Sequence, residues 1–258
     1  MKKAPGTCAA VLMSVVCFLP LSVTLGQENH SDPAHNWTYT GDQGPEHWGD
    51  LSSEFSSCAI GKAQSPIDIR DPHSAHLPPI KFSYQPSSLK VINNGHTIQI
   101  NYASGSTITV GAKTYELMQF HFHHPSEEKI NGQAYPIAAH LVHKNNEGKL
   151  AVVAVLIEEG NANQLISTLW DNLPPEEGKE LDLDRVKVDV NDLLPTNYKY
   201  YTYAGALTTP PCSEGVTWYV LQTPTPISKG QIDKFATIYP LNARPIQPLN
   251  GRVVQESK

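Results

Sequence analysis

Between Gln119 and His143 the chain reads Gln-Phe-His-Phe-His-His-Pro-Ser-Glu-Glu and then, after a short polar connection, Ala-Ala-His-Leu-Val-His. Side chains alternate faces along an extended strand, so His121 and His123 point the same way and are close enough to share one ion. His140 joins them if the next segment returns antiparallel, and the Asn131-Gly132 pair in the connection suits such a reversal. Three imidazoles form a zinc donor set that leaves one position open. That open position distinguishes a catalytic zinc from a structural zinc closed by four protein ligands. Eleven histidines in 258 residues allow some chance clustering. Two adjacent histidines on a strand face without a metal, however, would bury nitrogens that nothing satisfies. By the same parity His124 and His143 face away from the ion and have structural or exposed roles.

Holding such a trio rigid calls for a sheet, and the flanking sequence supplies one. Residues 150–157 are a continuous valine-rich run of strand length, as expected of a central strand buried on both faces. Residues 216–222 read similarly. Residues 163–170 place Leu165, Ile166, Leu169 and Trp170 at helical spacing before Pro174-Pro175 stops them. Residues 228–239 predict a second helix, with Ser228 and Gln231 as a capping box and Ile232, Phe235, Ala236 and Tyr239 on one apolar face. The 21 prolines, many between strands, suit a loop-rich β protein better than a helical bundle.

Beyond the histidines, the chain carries Gly44-Pro-Glu-His-Trp48, Gln64-Ser-Pro-Ile-Asp68, Asn93-Asn-Gly-His96, Leu207-Thr-Thr-Pro-Pro211, Val216-Thr-Trp218 and Asn242-Ala-Arg-Pro245. In this order and spacing they resemble the alpha-class carbonic anhydrases of the secreted, bacterial kind, over nearly all of the mature chain. The resemblance implies a mainly β (α+β) single domain, with a large twisted, mostly antiparallel central sheet and short peripheral helices. It also implies one Zn²⁺ on His121, His123 and His140, and reversible hydration of CO₂ to bicarbonate by the hydroxide that zinc makes available near neutral pH. Thr208 would take the hydroxide's proton in a hydrogen bond and pass its own to an ionised Glu127. His96 would shuttle the product proton through waters ordered by Tyr39, Asn94 and Gln99, an imidazole being suited to titration near neutrality. Strict alternation does not put His96 and Gln99 on one face, so a bulge is expected between them. Val142, Val152, Leu207 and Trp218 would form the apolar side where CO₂ waits, with Thr208 and Thr209 beside it. The resemblance also suggests a cis bond at Ser65-Pro66, and the Pro210-Pro211 pair is a second candidate.

Gln119 shares the face of His121 and can orient its ring, as ligating histidines usually require. Many members of the resembled family carry a glutamate two residues before the third histidine, where this chain has Ala138. A backbone carbonyl, a water or another side chain must serve His140 instead. Two competing readings are a non-catalytic carbonic-anhydrase-like binding module, expected to have lost a ligand histidine, and a zinc esterase on a β scaffold.

Met1-Lys2-Lys3 followed by a mostly apolar stretch broken at Pro20 predicts a cleaved signal over 1–26, since the run is short of the roughly 20 residues of a spanning helix. Residues 27–36 read as a loose segment, 37–252 as the carbonic anhydrase domain and 253–258 as a frayed C-terminal tail. Cleavage removes Cys8 and Cys17, leaving Cys58 and Cys212, an even pair that favours one disulfide in an oxidising compartment. The family places paired cysteines at these positions. Losing Lys2 and Lys3 from 19 basic residues against 25 acidic ones takes the formal charge from −6 to −8, which disfavours nucleic acid or anionic membrane as partner. The expected product is a secreted or periplasmic protein without stable membrane insertion, compatible with a homodimer. Asn29-His-Ser and Asn36-Trp-Thr match the glycosylation sequon and carry no meaning in a periplasm.

Overall fold

The structure, a computed structural model, describes Met1, Lys2 and residues 37–258. The rest of the signal segment and the loose segment lie outside the described residues, as do both sequons apart from Trp37 and Thr38.

Among the described residues a 13-stranded sheet dominates. Ten strands run in the spatial order Glu180–Val188, Ser87–Asn93, Ile98–Asn101, Lys113–His123, Ile137–Lys144, Leu150–Glu159, Glu214–Leu221, Tyr200–Ala206, Gln255–Ser257 and His73–Ala75, and Ile80–Ser83, Thr107–Val110 and Thr225–Ile227 pair off this path. Most neighbours are antiparallel. Leu150–Glu159 is the central element, antiparallel to Ile137–Lys144 on one side and parallel to Glu214–Leu221 on the other. Covered on both faces, it can carry an unbroken buried run from Ala151 to Ile157.

The two faces have different tasks. One is closed by the predicted helices, Gln164–Asp171 and Lys229–Ile238, which bury Leu165, Ile166, Leu169, Trp170, Ile232 and Phe235 against Phe120, Phe122, Leu141 and Val153. Asn163 caps the first helix through Ile166 N–H, and Ser228 with Gln231 forms the expected capping box on the second. The other face carries a smaller cluster that includes Ala138, Val152, Ala154, Leu156, Trp218 and Val220. The histidine trio belongs to this second face.

Asn131 and Gly132 reverse the chain with φ of 51° and 83°, as a type I′ hairpin turn requires. The reversal joins two short strands, Lys129–Ile130 and Gln133–Ala134, in a small separate sheet. The bonds at Ser65-Pro66 and Pro210-Pro211 are cis, and so is His124-Pro125, which the sequence reading did not anticipate.

Two expectations are corrected. The frayed tail at 253–258 is instead ordered: Val254 is buried and Gln255–Ser257 is a strand lying between Tyr200–Ala206 and His73–Ala75. Its polar composition hid backbone pairing on both sides. No bulge separates His96 from Gln99, because His96 lies in the turn before Ile98–Asn101, where alternation does not apply; the register from Asn93↔Ile98 to Lys90↔Asn101 is continuous.

His143 lies fully buried on the helix-covered face, its Nε2 paired with the Tyr84 hydroxyl at 2.8 Å. Burial, partly offset by backbone at Leu141 and Ala151, pushes its pKa down to about 3. The unfolded chain therefore takes up this proton first. Stability from a neutral His143 is complete above about pH 6.5 and is lost toward pH 3, at about 1.4 kcal/mol per pH unit inside that window. His143→Gln should consequently lose less stability than wild type between pH 7 and pH 5 in denaturant titrations, by roughly 2 kcal/mol. Parallel pH profiles would refute this account.

Candidate metal centre and active site

Cross-strand register arranges the site in rows. His121 pairs with Gln99 on one side and with His140 on the other, and His140 pairs onward with Ala154. One step along, Asn101, Gln119, Val142, Val152 and Trp218 form the adjacent row. One step the other way, His123 stands opposite Ala138. Directly paired residues share a face, so these rows put the three histidines beside an apolar strip. One ring nitrogen from each histidine lies within 4.8 Å of the other two.

Each imidazole gives its N–H away from that centre. His121 Nδ1–H donates to Gln119 Oε1 at 2.8 Å, His123 Nδ1–H to the Asn242 carbonyl at 2.7 Å, and His140 Nε2–H to Glu128 Oε2 at 3.2 Å. The remaining nitrogens, His121 Nε2, His123 Nε2 and His140 Nδ1, are the ones available to a metal. His123 Nε2 is fully buried without a hydrogen-bond partner. An orphaned imidazole lone pair, with two others beside it, fits Zn²⁺ in donor type and number. Burial first and the neighbouring His140 second lower the pKa of His121 to about 3, and the same two causes lower that of His123. Neutral rings are the form a metal needs. For His140 burial also pulls downward, but Glu128 and then Glu127 outweigh it and raise the value.

Glu127 borders the centre, with Oε2 3.6 Å from His123 Nε2 and 3.7 Å from His140 Nδ1. Burial pushes its pKa up to about 7; His140, the Arg244 N–H and Thr208 act against the rise, and Glu128 adds to it. A dication in the centre would favour the carboxylate. Thr208 is buried and acts on this carboxyl as a close neighbour, since Oε2 has no partner at hydrogen-bond distance. The Thr208 loop is tightened by the Cys212 N–H bond to Thr209 O at 2.9 Å and the Leu207 N–H bond to Ser213 O at 3.0 Å. Val142, Val152, Leu207 and Trp218 pack in one cluster, and the Trp218 ring lies 4.9 Å from that of His140.

His96 stacks on Trp37 with ring centroids 3.6 Å apart. Asn94 Oδ1 accepts from the backbone N–H groups of His96 and Thr97, shaping this turn, while Asn94 Nδ2 makes a long 3.5 Å contact to Gln99 Oε1. Tyr39 packs edge-on against Trp37, with ring centroids 5.3 Å apart, and lines a cavity of about 650 Å³ with Glu127 and Arg244.

Three participants escaped the sequence reading. Glu128 was passed over as the neighbour of Glu127. Arg244 lay in a matched segment but received no role: its backbone N–H donates to Glu127 Oε1 at 2.8 Å, while its guanidinium bonds Gln64 Oε1, Ser65 O and Cys58 O. Asn242, in the same segment, is fully buried. Its amide donates to the carbonyls of His96 and Phe122, both at 2.9 Å, and its Oδ1 accepts from His124 N–H at 2.7 Å. The signal was available in Asn242-Ala-Arg-Pro245, but only tertiary structure shows what it reaches. Cys58 and Cys212 form the expected disulfide.

The model of the eukaryotic-type carbonic anhydrase family matches residues 43–258. A carbonic anhydrase of Neisseria gonorrhoeae is 48% identical over 229 residues, covering 88% of this chain and 90% of its own. One from Nostoc is 44% identical over 227 residues, covering 86% of each. A solved hyperthermostable carbonic anhydrase from a hydrothermal vent chimney superimposes with a TM-score of 0.83 at 48% identity, covering 86% of this chain and all of its own.

Truncating Asn242 to alanine removes a partner from three backbone groups, the His96 and Phe122 carbonyls and the His124 N–H, of which Phe122 O keeps a second bond, from the Thr97 hydroxyl. Asn242→Ala should lower the unfolding free energy by about 3 kcal/mol in a denaturant titration. A loss below about 0.5 kcal/mol would mean these bonds contribute little net stability.

Proposed function

Because the chain belongs to the eukaryotic-type carbonic anhydrase family, it is a zinc lyase interconverting CO₂ and bicarbonate, and we propose that Thr208, Glu127 and His96 direct the attack and remove the proton. His121, His123 and His140 would hold the metal. When bound, zinc supplies a water whose pKa drops from about 15.7 to about 7, a value belonging to this family generally. Thr208 then works as a one-way hydrogen-bond valve. Were the Thr208 hydroxyl to close the remaining gap and donate to ionised Glu127, Thr208 Oγ1 could only accept toward the centre, which would hold the attacking oxygen's proton and aim a lone pair at carbon. The Arg244 N–H bond keeps Glu127 from turning away.

Val142, Val152, Leu207 and Trp218 offer an apolar wall to a substrate without charge, and Thr209, next to Thr208 in the chain, would border it. His96, held by its turn and by Trp37, exchanges the product proton with bulk water through solvent ordered by Tyr39, Asn94 and Gln99. The single observation that supports this reading best is the buried, orphaned His123 Nε2 between two further free imidazole nitrogens and the Glu127 carboxylate. We also propose export and loss of 1–26. The Cys58–Cys212 disulfide supports an oxidising compartment, and among the described residues no helix is long and apolar enough to cross a membrane.

Stopped-flow CO₂ hydration tests the assignment. Zinc-loaded wild type should hydrate CO₂ and His140→Ala should not; a folded, loaded wild type without zinc-dependent hydration would sink it. His96→Ala should slow turnover at low buffer concentration, with recovery as added imidazole rises. An unchanged low-buffer rate would remove His96 as the shuttle.

A further inference from the structure

We propose that Glu128 is the positioning residue that aims His140 at the metal, supplying from a loop the acceptor that the ligand strand omits at Ala138. The inference rests on the zinc reading above. Ala138 lies two residues before His140 on the same strand and face, fully buried, and ends in a methyl group that can accept nothing. Glu128 is 0% exposed, and its Oε1 and Oε2 lie 3.1 Å and 3.2 Å from His140 Nε2. Capturing the Nε2–H leaves the lone pair on Nδ1, the nitrogen that faces the other two histidines.

The carboxyl is delivered by a fixed backbone. Ser126 Oγ donates to Glu128 O at 2.8 Å and accepts from Tyr135 N–H at 2.8 Å, while Lys129 N–H reaches Ile67 O at 3.3 Å. A merely structural role fits poorly, because a buried carboxylate is costly unless paired, and Glu128 Oε1 has no hydrogen bond of its own. An apolar residue would pack there at lower cost. A glutamate at 138 beside Glu128 would compete for the same N–H and set two carboxylates together, so the small residue at 138 and the acid at 128 belong to one arrangement.

The test measures zinc affinity and zinc release to a chelator, alongside the unfolding midpoint of the zinc-free protein. Glu128→Ala should weaken zinc binding by about 10–100-fold. Adding Ala138→Glu to that variant should recover most of the loss, because the acceptor returns from the strand. Wild-type-like affinity in folded Glu128→Ala overturns the proposal, as does a folded double variant no tighter than the single one. Should Glu128→Ala fail to fold, Glu128→Met, similar in length but without an acceptor, decides in its place by the same criteria. Wild-type stoichiometry of one zinc per chain, read in the same titration, separates this test from the zinc reading it rests on.

Discussion

A neutral imidazole has one N–H and one lone pair, and this molecule is organised around that shortage. For three clustered rings to turn their lone pairs on one point, each must place its N–H on a fixed acceptor elsewhere. Gln119, the Asn242 carbonyl and Glu128 are those acceptors, one from the ligand strand itself, one from a distant loop and one from the connection between the ligand strands. Without them the rings would hydrogen-bond each other or turn, and burial alone would not select the orientation.

The same loops that orient the rings also set the reacting groups. Asn242 bonds the carbonyl of His96, so the turn bearing the proposed shuttle and the acceptor for His123 are one piece of structure. Arg244, two residues on, fixes Glu127 through its backbone and reaches Cys58 O and Ser65 O through its side chain, with the guanidinium 5.6 Å from the centre of the Trp48 ring. Gln64 links that cation to Cys212 O, next to the loop bearing Thr208. Burial of Arg244 lowers its pKa to about 10, which still leaves it charged at neutral pH. A loop that carries so many site contacts tolerates little movement, consistent with the burial of Asn242 and Arg244.

Periodicity made the framework legible. The run 150–157 announced the central strand, the 119–123 alternation announced the ligand face, and Ser228 with Gln231 marked a helix start to the residue. These signals are local, and local rules decide them. Gln255–Ser257 was missed because its pairing depends on two strands remote in sequence rather than on its own polar residues. His96 sits in a turn beyond the strand end, where strand parity gives no guide. Glu128 was invisible for a related reason: adjacent to Glu127 in sequence, it serves a different atom, and nothing in residue type distinguishes the two.

The register rows imply an order of assembly. The ligand histidines come from neighbouring strands joined by one connection, whereas Arg244 meets Glu127 across 117 positions of chain, and the disulfide closes over 154. Closing a longer segment costs more entropy, about 0.6 kcal/mol per doubling, and distant β pairings form slowly. The three ligands are thus topologically near, whereas the acceptor for His123 and the reaction machinery are topologically far. Gathering three imidazoles and aiming them are separate milestones for this chain, the first reached by neighbouring strands and the second, together with the turnover machinery, only when the loop at 242–244 arrives.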